Sequence, residues 1–238
     1  MRGPTQTLFD ELPAEIAMFP LSGALLLPWG RLPLNIFEPR YLNMTLDSLA
    51  AGRLFGMIQS DNDKIAKARS TAEVAGSDTN IIMFPSEPPL YSVGCLGRIA
   101  SFEETDDGRL LIALKGLARF RVAAELDGRK GYRRVKADYA PYAADIEPPP
   151  KFKLDREKML GLLKPYLDAQ GMKVNFDVIR NLSDTTLVTS LSMICPFDPR
   201  EKQALLEAAS HGARAESLMT LLAMGVFDAG GKPDGPRQ

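Results

Sequence analysis

Chemistry needs nucleophiles, titratable groups or metal ligands gathered together, and this chain offers few of them. It has two cysteines, Cys95 and Cys195, a hundred residues apart, and one histidine, His211. No CxxC pair or Cys/His cluster can be built from these three, which excludes the usual zinc sites. Each cysteine lies in an apolar run, Val93-Gly94-Cys95-Leu96 and Met193-Ile194-Cys195, the setting of a reduced core thiol. His211 has no GxSxG elbow around it and stands at a helix break, so a solvent-facing or carbonyl-capping role is expected. A P-loop needs GxxxxGK[ST], but Gly231-Lys232 is followed by Pro233, which removes ATP binding by that route. Glu103, Glu104, Asp106 and Asp107 crowd one turn, where solvated acids are expected rather than a cation site. The chain is therefore expected to have no catalytic residue, no cofactor and no metal.

Binding chemistry is better represented. Arg129, Lys130, Arg133, Arg134 and Lys136 form a basic run that could meet phosphates. Aromatic interleaving there is limited to Tyr132, and a solvated, aggregation-resistant strand edge explains the run as well. The second feature is the proline-broken apolar stretch holding Leu25, Leu27, Trp29, Leu32 and Leu34, with the chain's one tryptophan. Such residues, if exposed on a proline-stiffened loop, would capture extended apolar polypeptide; if buried, Trp29 seals the end of a barrel.

These residues need a scaffold. Ile16-Ala17-Met18-Phe19 and Ala24-Leu25-Leu26-Leu27, each closed by proline, read as buried strands, and Pro33 opens a third run to Phe37. Tyr41, Leu42, Leu46 and Leu49 then recur at helical spacing, from Pro39 to a stop at Gly52. Leu54-Phe55-Gly56-Met57-Ile58 is a further strand. A long polar segment over 61–89 follows, containing the apolar Ile81-Ile82-Met83-Phe84. From Val93 to Phe102, through the turn Thr105-Asp106-Asp107-Gly108 and back to Leu114, the pattern is a hairpin. Leu110, Ile112 and Leu114 line one face and Leu111 and Ala113 the other, which predicts cover on both sides. Gly116-Leu117 is read as a break, followed by a strand through Arg119-Phe120-Arg121-Val122 and a last one near 132–142.

Glu147-Pro148-Pro149-Pro150 is a stiff boundary, and everything beyond it has helical period. Asp155, Asn175, Ser183 and Asp198 are the expected N-caps, the last with Pro199 and Glu201 behind it. Met159, Leu162, Leu163 and Leu167 form one stripe and Leu187, Leu191 and Ile194 another. The predicted organisation is a leader over 1–13, a barrel over 14–146, a helical bundle over 151–226 and a disordered tail over 227–238. With 238 residues, 25% charged and a formal net charge of −1, the composition is that of a soluble globular protein with no global field for nucleic acid or membrane. No apolar run has signal-peptide or membrane-spanning character, so a cytoplasmic location is expected.

In series, these segments resemble the amino-terminal domain of Lon, the ATP-dependent protease La. The resemblance is carried by Met18-Phe19-Pro20-Leu21, by Pro33-Leu34-Asn35-Ile36-Phe37-Glu38-Pro39-Arg40-Tyr41, by Tyr91-Ser92-Val93-Gly94-Cys95-Leu96-Gly97-Arg98-Ile99 and by Gly116-Leu117-Ala118-Arg119-Phe120. It spans about residues 14 to 225. It implies an α+β fold, a PUA-like β-barrel with one covering helix followed by an α-helical bundle. It also implies a non-catalytic module that binds unfolded polypeptide or a protein partner, in protein quality control. Two departures stand out. The family's ATPase and Ser/Lys protease parts are not here: Lys232-Pro233-Asp234-Gly235-Pro236 is like the protease's serine turn in composition, but Arg237 takes the serine's place. The 61–89 segment is also longer than the usual connection. An RNA-binding barrel using residues 129–136 is the alternative; a membrane partner is not expected, and an oligomer is possible.

Overall fold

The structure, a computed structural model, describes residues 9–61 and 88–230. Most of the long polar segment, with its Ile81-Ile82-Met83-Phe84 run, most of the leader and the Lys232 turn lie outside the described residues. The chain divides into two compact units, Met1–Glu147 and Pro148–Gln238.

The first unit has six described strands: β1 (Glu15–Pro20), β2 (Arg31–Ile36), β3 (Leu54–Ile58), β4 (Val93–Glu104), β5 (Leu110–Arg129) and β6 (Tyr132–Asp138). Their order is β2-β5-β4-β3-β1-β6, and β6 pairs again with β5. Five strands therefore close into a ring, and β2 lies outside it against the first half of β5. β1 runs parallel to β3 and antiparallel to β6, and this second pairing closes the barrel. Strict alternation puts Ile16, Met18, Leu96, Phe120 and Val135 into the interior, each at most 3% exposed. Burying each such side chain contributes about 1.5–3 kcal/mol.

Helix α1 (Pro39–Ala50) packs on β1, β3 and β6, with Pro39 at its first turn. Its buried face is Tyr41, Met44, Thr45 and Ser48, whereas Leu46 is exposed, so the helix is rotated from the stripe expected. The Tyr41 ring meets Phe19 edge-on at 4.3 Å, fixing the helix to the barrel.

Four local expectations are corrected. Ala24-Leu25-Leu26-Leu27 is no strand; it crosses the interior as irregular chain with its leucines buried. The run is apolar because it is covered, not because it pairs. Gly116-Leu117 does not break β5, which continues for 20 residues. The ladder with β4 absorbs an irregularity at Leu96/Gly97, and Gly116 lies where a Cβ would fall 2.0 Å from the Leu27 carbonyl oxygen. Leu111 is 42% exposed, so only the Leu110, Ile112 and Leu114 face of this hairpin is covered. After β6 the chain turns through a 3₁₀ segment, Ala140–Ile146, rather than staying extended to Tyr142.

The second unit has five described helices: α2 (Arg156–Ala169), α3 (Phe176–Asn181), α4 (Asp184–Ile194), α5 (Pro199–Glu207) and α6 (His211–Gly230). Asp155, Asn175 and Ser183 each accept a main-chain N–H as N-caps. Asp198 and Glu201 form a reciprocal capping box, with both bonds at 2.8 Å. α6 runs to Gly230, into the stretch expected to be disordered. Both cysteines are buried thiols, and burial pushes Cys195 up from 9.0 to about 12. At pH 8 this thiol stays protonated, and the thiolate is the nucleophile. Iodoacetamide should therefore leave Cys195 unmodified in the native protein at pH 8 and alkylate it in urea. Fast native alkylation, read by mass spectrometry, would contradict this burial.

Candidate functional site

The basic run is a two-residue hairpin, not an open patch. Lys130 and Gly131 have φ of 48° and 85°, the left-handed pair of a type I′ turn between β5 and β6. The fold carries Arg129, Lys130, Arg133 and Arg134 to carboxylates. Lys130 meets Asp47 of α1 at 2.6 Å, Arg129 meets the same carboxylate at 3.5 Å, and the Tyr132 hydroxyl donates to it. The Lys130 hydrogen bond is the main reason the Asp47 carboxyl lies below the ordinary carboxylate range. Arg133 forms a two-pronged pair with Glu125 at 2.6 and 2.7 Å, and Arg134 reaches Glu15 at 2.6 Å. A phosphate would have to displace Asp47, Glu125 and Glu15.

The apolar stretch is divided by the fold. Leu25 and Leu27 are 2% and 0% exposed, so they are core and cannot capture anything. Leu32 and Leu34 are half-buried on β2, and Trp29 is 40% exposed. Leu27, Pro28, Trp29 and Gly30 make a tight turn closed by Gly30 N–H donating to the Leu27 carbonyl at 2.9 Å. Trp29 holds φ of 68°, in the position of such a turn that normally goes to glycine. A bulky residue there carries about 1–3 kcal/mol of strain. The surroundings hold it: the indole N–H donates to the Asp145 carbonyl at 2.9 Å, and the Lys115 ammonium lies 5.5 Å from the ring centre. Asp145 is itself gripped by Arg119 through Nε at 2.8 Å, Nη2 at 2.9 Å and the main-chain N–H at 3.0 Å. Burial opposes the guanidinium charge, but the Asp145 bonds outweigh it and hold Arg119 above its ordinary value. Trp29 is thus tied down through its indole N–H and keeps an exposed ring face.

The second unit holds a feature the helical stripes conceal. An open groove of about 300 Å³ runs between α2, α3 and α4, lined almost wholly by carbon, including Leu167, Val174, Val178, Leu191 and Ile194. Val178 and Ile194 are 58% and 65% exposed. Ile194 reads in sequence as one more residue of a buried stripe, but it is the last residue of α4 and opens onto the groove. Val178 lies off the one buried position of that helix, Ile179, and this is the only trace in the sequence. Among the described residues no group of His, Cys, Asp and Glu is placed to hold a metal ion.

The fold is thus an α+β class with two units, a closed barrel carrying an outer strand and a helical unit that opens an apolar groove. The chain matches the ATP-dependent protease La (LON) substrate-binding domain over residues 15–224 and belongs to that family. It is 22% identical over 223 residues to the Lon protease of Flavobacterium johnsoniae, covering 91% of this chain and 24% of that protein. The chain thus spans about a quarter of that relative's length. The Lon N-terminal domain protein of Xanthomonas campestris is similar in structure, with a TM-score of 0.54 and 21% identity, over 87% of this chain and 97% of that one. The N-terminal domain of the Mycobacterium avium complex Lon protease follows at 0.53 and 15%, over 88% and 98%. Both share the α+β architecture.

Proposed function

We propose that this chain is a non-catalytic module that holds apolar segments of polypeptides, acting in cytoplasmic protein quality control. The observation that carries this reading is the open carbon-lined groove of the helical unit, in a chain of a family described as substrate-binding. A groove of this size takes two or three apolar side chains, and each one fully buried contributes about 1.5–3 kcal/mol. The contact is hydrophobic, so binding changes little with salt, unlike a phosphate contact. The paired cations of the β5–β6 hairpin give the RNA reading no support.

The test is binding of a fluorescein-labelled Leu/Phe-rich peptide, read by anisotropy. Val178→Asp and Ile194→Asp change side chains that already meet solvent, so both variants should fold. Each is expected to weaken binding by about tenfold or more, corresponding to one buried apolar contact. Undiminished binding by both variants would remove the groove from this role.

A further inference from the structure

The outer face of the sheet beside Trp29 carries a row of cations that the polypeptide-binding groove does not use. Arg31 of β2 is the Cα partner of Lys115 on β5, and Lys115 is the partner of Arg98 on β4. Their neighbours Ile99 and Leu114 are 1% and 0% exposed, so strand alternation puts all three cations on the opposite face, where Arg31 is exposed and Lys115 and Arg98 are half-buried. Like charges directly opposite one another across strands are destabilising. Among the described residues neither Arg31 nor Lys115 forms an ion pair; the Lys115 ammonium faces the Trp29 ring instead. The row is electrostatically incomplete at its Arg31 end.

That end is also where the sheet stops. Among the described residues, β2 pairs with β5 on one side and with no strand on the other. The Gly116 N–H donates to the Gly30 carbonyl at 2.9 Å, which sets the parity of the ladder. Leu32 and Leu34 then turn their main chain to β5, while Arg31, Pro33 and Asn35 turn theirs outward. Pro33 fits this, since proline is tolerated on an edge where its missing N–H faces away. The free edge offers three carbonyls and the N–H groups of Arg31 and Asn35, all on exposed residues.

We propose that the free edge of β2 takes up an extended polypeptide segment as an added strand, with an acidic side chain opposite Arg31. A residue paired with Arg31 projects to the same face, so a carboxylate there meets the cation row where it ends. Its neighbours project to the other face, beside the half-buried Leu32 and Leu34, where apolar side chains fit. The recognised pattern is an acidic–apolar alternation with period two. The three outward carbonyls need N–H donors, which an extended peptide supplies and a phosphodiester backbone does not. This inference rests on the polypeptide-binding reading but uses a different surface.

The experiment uses the full chain and two labelled nine-residue peptides, one alternating Val and Glu and one alternating Val and Lys. The Val/Glu peptide is expected to bind at least about tenfold more tightly, with the preference reversed by Arg31→Glu. Asn35→Pro removes an outward N–H without touching the ladder to β5, and is expected to weaken the Val/Glu peptide about tenfold. Native circular dichroism checks its fold, and Arg31→Glu decides the matter should it fail. The bound peptide is also expected to slow amide exchange at Arg31 and Asn35. Equal binding by the Asn35→Pro variant would reduce the site to surface charge and overturn the proposal. Displacement of the peptide by an oligouridylate would overturn it too. Loss of Val/Glu binding alone, with the Leu/Phe-rich peptide still held in the groove, overturns this inference and leaves the first reading standing.

Discussion

A Gly116→Ala variant is expected to lose the folded barrel, or to melt far below the parent. The added methyl would lie 2.0 Å from the Leu27 carbonyl oxygen and 2.8 Å from its carbon. Both are backbone atoms held on the far side by buried neighbours, so no side chain can swing away. Ordinary overpacking costs about 1–3 kcal/mol, and a clash with fixed backbone exceeds that range. Urea denaturation followed by circular dichroism measures it. Gly161→Ala is the matched control: an alanine Cβ in α2 meets nothing within 4 Å and should stabilise by about 0.5–1 kcal/mol. A Gly116→Ala protein with unchanged stability would show that the Leu27 turn is not seated against β5.

The second large effect is expected at Asp145. Its carboxylate and the Arg119 guanidinium are 10% and 9% exposed, joined by two side-chain bonds and one main-chain bond. Removing one partner leaves the other charged and dry, at a cost of about 3–5 kcal/mol. Asp145→Ala and Arg119→Ala should each destabilise by about that amount, while the apolar pair Arg119→Met with Asp145→Leu should recover most of it. Losses under about 1 kcal/mol for both single changes would mean that water reaches the pair.

How much of this was legible follows from which signals are local. The Thr105-Asp106-Asp107-Gly108 hairpin, the Asp198 capping box and the Leu110, Ile112 and Leu114 face of β5 are written in neighbouring residues and are legible there. Ala24-Leu25-Leu26-Leu27 was misread because burial looks the same whether a segment pairs or merely crosses a core. Gly116 was taken for a break because its real constraint, the carbonyl of Leu27, comes from a distant segment. The candidate site was harder still. Leu25 and Leu27 share the apolar character of Leu32 and Leu34, and only the fold sorts them into core and surface. The row of Arg31, Lys115 and Arg98 needs strand register, which no single segment contains. Ile194 was grouped with Leu187 and Leu191 by spacing, since nothing in its own helix says that its end opens onto a groove.

Barrel closure has a consequence for how the chain is made. β1 leaves the ribosome before its antiparallel partner β6, which is joined to it through Glu15 with Lys136 and Ile16 with Val135 and follows more than a hundred residues later. Until then β3 is the one described strand with which β1 can pair. Pairings so distant in sequence form slowly, because loop closure comes before any contact rewards it. The nascent barrel therefore waits as an open sheet with an apolar lining, and for that interval it is itself the kind of exposed polypeptide that chaperones guard.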